Sequence, residues 1–290
     1  ALWPATAFVV MTAWRNPCVP VAPTLVGVAV AAALASLATG ASLDLAALLA
    51  VVDVIEVGVG LAGLKWYGER RLDRSVAVFF AALTIVGAVA PAIGATLGAA
   101  VIQWRLGLDF RAVWSTWWIG NALGAAIVLP IAASATRRRL TAILSGRGGL
   151  EAMALVVASA IAIHVTVKTV GQPNLLMAIP VMIAAVRLNP LAAGLLGSAT
   201  VVSVIGASLF GSGFAGVVGG RVSFAVPWSA AVVLLPYSIA LLIDELGRER
   251  ERLAASEHHF RVAMDRSPFG MVLLDVSGRC YAINRALTDF

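Results

Sequence analysis

Cysteine occurs only twice in the 290 residues and histidine three times. Cys18 and Cys280 stand far apart at no ligand spacing, so a disulfide scaffold and a thiolate metal centre are both excluded. Charge is scarce as well: 12% of residues are Asp, Glu, Lys or Arg, against about 25% in an ordinary soluble domain. With so few charges a soluble surface cannot be covered. No Gly-X-Y period exists, which removes a collagen-like fold. The motifs of hydrolytic chemistry are missing too, with no H-E-x-x-H, no G-x-S-x-G elbow and no convincing triad. The stretch from Gly211 to Gly220 is rich in glycine. It lacks a Gly-Lys-Ser/Thr ending and a strand-to-helix setting, so it reads as a flexible outer loop and not a phosphate cradle. The opening Ala1-Leu2-Trp3-Pro4 has no charged n-region and is not a signal peptide. Both ends read as cuts within a longer protein.

What the sequence has in excess is apolar surface. Hydrophobic residues make up 60% of the chain, and mean hydropathy is +0.94. These values predict an all-α polytopic transmembrane helix bundle of about eight or nine helices, followed by a small polar remainder. Apolar runs fall at about 2–14, 17–39, 43–64, 76–103, 113–136, 150–169, 173–187, 190–210 and 226–244, most near the roughly 20 residues that cross a hydrocarbon core. The formal charge of +6 would point to nucleic acid in a soluble protein. Here the basic residues sort by side. With the polar tail cytoplasmic, one set of connections holds Arg15, Lys65, Arg70, Arg71, Arg74, Arg137, Arg138, Arg139, Arg147 and Arg187. The other side holds Arg105, Arg111, Lys168 and Arg221. That asymmetry fits nine spans under the positive-inside rule, makes Arg137, Arg138 and Arg139 topology anchors, and leaves no case for a nucleic-acid partner. An odd count starting outside implies a further helix upstream. Trp104, Trp114, Trp117 and Trp118 flank the 105–113 connection and are expected to form an outer interfacial belt. Pro91, Pro130, Pro180 and Pro236 can kink their helices. Gly94-x-x-x-Gly98 and Gly120-x-x-x-Gly124 permit close helix approach, although 27 glycines make such spacings common.

Ionisable residues within the apolar runs are the candidate site. Asp53 and Glu56 share a helix face at i, i+3. An ionised carboxylate at the bilayer centre costs about 2.5–3.5 kcal/mol or more, so both must face the bundle, pair or stay protonated. His164 and Lys168, at i, i+4, are candidate partners. The pair serves either as a ligand or proton site or as a structural hydrogen bond. A lone His without neighbouring ligands is not a metal site.

After Leu242 the chemistry changes. Residues 244–253 alternate charge, with Leu246, Leu253 and Phe260 seven apart, which suits either a short coiled coil leaving the membrane or a solvated charged helix. Met271 to Asp275 and Cys280 to Ile283 read as two strands around a Val276–Arg279 turn, and Asn284 can cap the helix that follows. His258 and His259 lack the surroundings of a phosphoacceptor. The order of these elements, with Ser267, Pro268, Gly270, Asp275, Gly278, Asn284 and Ala286, strongly resembles the opening of a PAS domain, of which only 260–290 is present.

The membrane part carries a second resemblance. Trp3-Pro4-Ala5-Thr6-Ala7 resembles the Trp-Pro-Pro-x-Gly step of the first-described membrane-associated sensor family, MASE. Glu56, Trp118-Ile-Gly-Asn-Ala-Leu-Gly124 leading to Pro130, and Pro180 with Ala184-Ala-Val-Arg187 are similar too. Ala5 and Ala7 depart from the family's Pro and Gly. Asn121 stands where Asp is expected, removing a charge available to proton- or cation-linked sensing. Together the resemblances imply a sensor bundle at 1–244, a helical linker at 245–259 and an incomplete α+β PAS-type segment at 260–290. They imply the input half of a bacterial inner-membrane signalling protein. No catalytic domain is expected in this chain, and the output elsewhere in the parent would be a cyclic di-GMP synthase or phosphodiesterase, or a histidine kinase. Asp53, Glu56, Asn121, His164 and Lys168 are the expected polar contacts in the bundle. Expected partners are the lipid bilayer, a membrane protein or small-molecule cue, and a second copy through the exit helix. The stimulus and any cofactor stay open. The competing readings are a transporter with a short cytoplasmic tail, favoured by midplane carboxylates and Pro-broken helices, and a membrane scaffold.

Overall fold

A computed structural model describes residues 5–16, 18–68, 75–169, 175–209, 222–274 and 276–288. The chain divides into two compact units, Ala1–Leu242 and Ile243–Phe290. Trp3-Pro4, Arg70, Arg71, Arg74, the glycine-rich 211–220 stretch with Arg221, and Asp275 lie outside the described residues, as does the side chain of Lys168.

The first unit is helical throughout its described length. It runs α1 (Ala5–Arg15), α2 (Val21–Ala38), α3 (Leu43–Tyr67), α4 (Val76–Thr84), a π-helical turn (Ile85–Val89), α5 (Ala90–Leu106) and α6 (Phe110–Ser134). There follow α7 (Arg137–Leu144), α8 (Gly146–Thr169), α9 (Ala178–Arg187), α10 (Pro190–Leu209) and α11 (Val222–Arg266). Six described segments are long and apolar enough to cross a membrane: α2, α3, α4 with α5, α6, α8 and the part of α11 beginning at Ala230. Two shorter apolar helices cover Ala178–Arg187 and Pro190–Ile205. Length and composition therefore account for six crossings where eight or nine are expected, because α1, α9 and the described part of α10 fall below a full span.

Helix α6 is the axis of the bundle, packing against α1, α5 and α10. Its inner face is small: Gly120, Gly124, Ala125, Ala126 and Ala133 are all buried. Small residues let helix backbones approach when lipid supplies no hydrophobic drive between helices. At the periphery the polarity is inverted relative to a soluble protein. Only Ala32 is buried on α2, while Val26, Leu34, Met153, Val157 and Ile161 are exposed, as expected of a surface solvated by acyl chains.

Side-chain donors meet main-chain carbonyls close to both prolines. Pro91 follows the π-helical turn, and Trp118 Nε1 donates to Ala88 O within that turn at 3.1 Å. Pro130 lies inside α6, where it frees the Ala126 carbonyl, and Ser198 Oγ of α10 donates to the next carbonyl, Ile127 O, at 3.0 Å.

Two sequence expectations change here. The 137–149 connection is not a plain loop but contains the amphipathic helix α7, with Thr136 Oγ1 accepting from Arg139 N at 3.3 Å as its cap. Ile143 is buried while Arg137 and Arg138 remain exposed, so the anchors sit on the outer face of a helix. The tryptophan belt is also smaller than expected. Trp104 is 72% exposed, but Trp114, Trp117 and Trp118 turn toward α3 and the α4–α5 helix, where their indole N–H groups donate to Thr96 Oγ1, Glu56 and Ala88 O.

In the second unit α11 continues to Arg266, so the 245–259 linker is helix without a break. Strands β1 (Val272–Leu274) and β2 (Cys280–Ile283) pair antiparallel, with a bulge between Leu273 and Leu274, and a short helix α12 (Arg285–Thr288) follows. Gly278 takes the turn at φ +82°. Asn284 is fully buried and organises the whole segment. Its Oδ1 accepts from Met271 N at 2.7 Å and from Leu287 N at 3.2 Å, the latter as the α12 cap. Its Nδ2 donates to Met264 O at 2.9 Å and Phe269 O at 2.8 Å. One amide thus ties the end of α11, the hairpin and α12 together.

Candidate functional site

The site grows from a steric allowance on α5. A Cβ placed at Gly94 would overlap Glu56 Oε2 and lie 2.8 Å from the carboxyl carbon. A Cβ at Gly98 would lie 2.8 Å from ring carbon Cη2 of Trp117. The Gly94-x-x-x-Gly98 groove therefore accommodates a carboxyl group from α3 above one glycine and an indole from α6 above the other. Trp117 Nε1 donates to Glu56 Oε2 at 3.1 Å, closing a three-helix contact. Glu56 is fully buried, and its Oε1 has no hydrogen-bond partner among the described residues.

One turn along α6, Asn121 Nδ2 donates to Trp117 O at 3.3 Å. Asn121 is 5% exposed, and its Oδ1 also lacks a partner among the described residues. Leaving a buried acceptor unmatched costs about 1–3 kcal/mol. Two such acceptors on neighbouring helices are unusual in a packed bundle.

Beside them lies a cavity of about 550 Å³, lined among others by Asp53, Asp109, Thr116, Trp117 and Asn121. Leu108 and Asp109, from the α5–α6 connection, and Ser36, near the end of α2, also border it. The α2–α3 and α5–α6 connections share this end of the bundle, tied by an ion pair between Arg105 and Asp44. Trp117 thus has one part of its surface in the cavity and its N–H on Glu56.

The sequence-derived candidates separate into two groups. Asp53 and Asn121 line the cavity, and Glu56 contacts it through Trp117. His164 is exposed on α8 and does not join this cluster. Glu56 pairs with Trp117 and not with His164, the Gly94–Gly98 groove on α5 making room for both the carboxyl and the indole, while the side chain of Lys168 lies outside the described residues. Of the anchors, Arg139 donates to Ser134 O at 3.2 Å.

A second polar cluster, absent from the sequence reading, lies at the far end of α6. Ser134 Oγ and Tyr237 OH are 2.6 Å apart, both fully buried, and Phe79 packs on the Tyr237 ring at 4.6 Å. The Arg15 guanidinium donates to Ala132 O and, at 3.0 Å, to Ala135 O. Ser134 follows Asn121 by 13 residues, about 20 Å of helix. One helix therefore carries the cavity wall at one end and a contact to α11 at the other. Nothing in the spacing of Ser134 and Tyr237 marks them as partners; only an aromatic hydroxyl in an otherwise apolar run hints at a buried bond.

The described helices form a multi-pass bundle with a cavity at one end of α6 and a buried Ser134–Tyr237 hydrogen bond to α11 at the other. The MASE1 family model matches residues 1–242, and the chain belongs to that family. MASE1 is a membrane-associated sensory domain of signalling proteins. No curated protein matches the chain, and no solved structure does.

Proposed function

We propose that the chain is the sensory input region of a bacterial inner-membrane signal-transduction protein. It crosses the bilayer nine times, with α1, α9 and α10 as tilted or shortened crossings, and the segment after Leu242 is cytoplasmic. The observation that carries the coupling is the pair of polar contacts on α6: Asn121 and Trp117 at the cavity, and Ser134 hydrogen-bonded to Tyr237 of α11. A cue that repositions α6 at the cavity alters the seat of α11. A rigid helix shift between two packed arrangements then conveys the change.

Residues 260–290 are the opening of a PAS domain. Three features support that reading: the helix–hairpin–helix order, the Ser267 Oγ that accepts from Phe269 N at 3.2 Å, and the fourfold bonding of Asn284. Resemblance supplies the output, a cyclic di-GMP synthase or phosphodiesterase or a histidine kinase carried elsewhere in the polypeptide. The molecule works as a homodimer through α11, whose Leu246, Leu253 and Phe260 repeat at heptad spacing and are 51%, 69% and 53% exposed.

The test is Glu56→Gln in the full-length protein. The amide retains an acceptor for Trp117 and similar volume, so the bundle should fold while output changes. Unchanged output from a folded variant would overturn the role of this site in signalling.

A further inference from the structure

The cavity's chemistry is lopsided, and that defines what it can hold. Several of its lining donors are engaged internally, and the Ser36 hydroxyl also borders the space. Trp117 Nε1 donates to Glu56, Asn121 Nδ2 donates to Trp117 O, and Thr116 Oγ1 donates to Ala112 O at 2.8 Å. What faces the space is a set of acceptors. Asp53 and Asp109 bring carboxyl oxygens, and only one Asp109 oxygen is committed, Oδ1 accepting from Ala112 N at 2.8 Å as the α6 cap. Asn121 also lines the space, and its Oδ1, itself enclosed, has no partner among the described residues. Among the described residues no Lys, Arg or His lines the cavity, and the nearby Arg105 is paired with Asp44. The remaining wall is largely hydrocarbon, from Leu49, Ile102, Leu108 and Val113.

We propose that this cavity binds a small organic cation, an amine or diamine whose ammonium hydrogens meet the Asp53 and Asp109 carboxyl groups beside Asn121 and whose carbon body lies on the apolar wall. A carboxylate or phosphate ligand would meet the carboxyl groups of Asp53 and Asp109 and no cationic lining group among the described residues. A bare metal ion is poorly served, since no cluster of three or more His, Cys, Asp or Glu side chains stands among the described residues. An ammonium ion supplies several donors to acceptors that are otherwise costly to bury, and the Trp117 indole adds an aromatic surface of the kind that attracts cations. The volume, about 550 Å³, is in the range of small-molecule sites. The proposal rests on the sensory reading, because it names the cue that the same site takes.

The experiment uses the full 290-residue chain in lipid nanodiscs and isothermal titration calorimetry with 1,4-diaminobutane and benzylamine as probes. Size-matched 1,4-butanediol, succinate and magnesium ion are the controls. At least one amine is expected to bind saturably, and the diol and succinate are not. Asp53→Asn should weaken amine binding about tenfold or more, and Asn121→Ala should weaken it as well. Asp109→Asn keeps the helix cap and should weaken it less. Circular dichroism and thermal unfolding establish that each variant is folded. Absence of amine binding to the folded wild type overturns the proposal, as does magnesium binding that depends on Asp53 with none by amines. Binding of amines that is indifferent to all three substitutions also overturns it. A parallel readout separates the two claims. If amines fail to bind yet Glu56→Gln still alters the full-length protein's output, the sensory role stands and the ligand class falls. If amines bind yet output ignores both them and Glu56→Gln, the site stands and the sensory role falls.

Discussion

Gly94 is the residue on which the Glu56 contact depends. Its alanine variant would push a methyl group into the Glu56 carboxyl, which is buried and bonded to Trp117 and so has little room to retreat. Overpacking of this kind costs about 1–3 kcal/mol. Gly94→Ala should therefore lower the melting temperature in detergent or nanodiscs, while Gly58→Ala, with open space around its added carbon, should not. Equal melting temperatures for the two would show that the groove is not needed for packing. At the other end of the chain Asn284 has the same importance for different reasons. Replacing it with Ala removes four hydrogen bonds and strands Met271 N in partly buried surroundings. The cost should reach about 2 kcal/mol or more, and the Met271 amide should exchange its hydrogen faster in Asn284→Ala than in the parent. Asn284 was legible in the sequence as a cap, since Asn before a helix start has a mechanism. Its three further bonds were not, because they depend on where the end of α11 and the hairpin meet.

Among the elements, helix periodicity and length were readable wherever a run was long and apolar, and α2, α3, α6 and α8 fall close to the expected positions. Partnership between helices was not readable. Intramembrane carboxyl groups at i, i+3 announce that they need company, yet Glu56 took an indole from α6 while His164 stays exposed on α8, because glycines on α5 that carry no charge signal make room for the contact. Amphipathic α7 escaped notice since eight residues with three arginines look like an anchor cluster before they look like a helix. The most informative element is α6, whose Ser134–Tyr237 bond reaches the outgoing helix. Tyr237→Phe removes that hydroxyl and preserves the ring against Phe79. It should cost only about 0.5–1.5 kcal/mol of stability. Output of the full-length protein should nevertheless lose its response to substitutions at Glu56. A Tyr237→Phe protein that still responds to Glu56→Gln would place the coupling route elsewhere.

For the whole molecule, orientation decides whether the cavity samples the outside or the cytoplasm. On the proposed topology the connections on the Arg137–Arg139 side face inward, and the α2–α3 and α5–α6 connections, with Leu108 and Asp109, face outward. The two native thiols make this measurable. Cys18, between α1 and α2, and Cys280, on β2, are both exposed and both belong to the inner side on this topology. In intact cells a membrane-impermeant maleimide should label neither, and after permeabilisation it should label both. Leu108→Cys, introduced after replacing both native cysteines with Ser, should react in intact cells because Leu108 is 51% exposed at the cavity's edge. Labelling of Cys18 from outside, or failure to label Leu108→Cys without permeabilisation, would invert the bundle. The cavity would then sample cytoplasmic solutes, and α6 would carry its signal away from the side on which residues 260–290 are proposed to lie. The span of α6 between Asn121 and Ser134, about 20 Å, crosses most of the hydrocarbon core in either orientation, so it is the labelling pattern that tests the direction of the message.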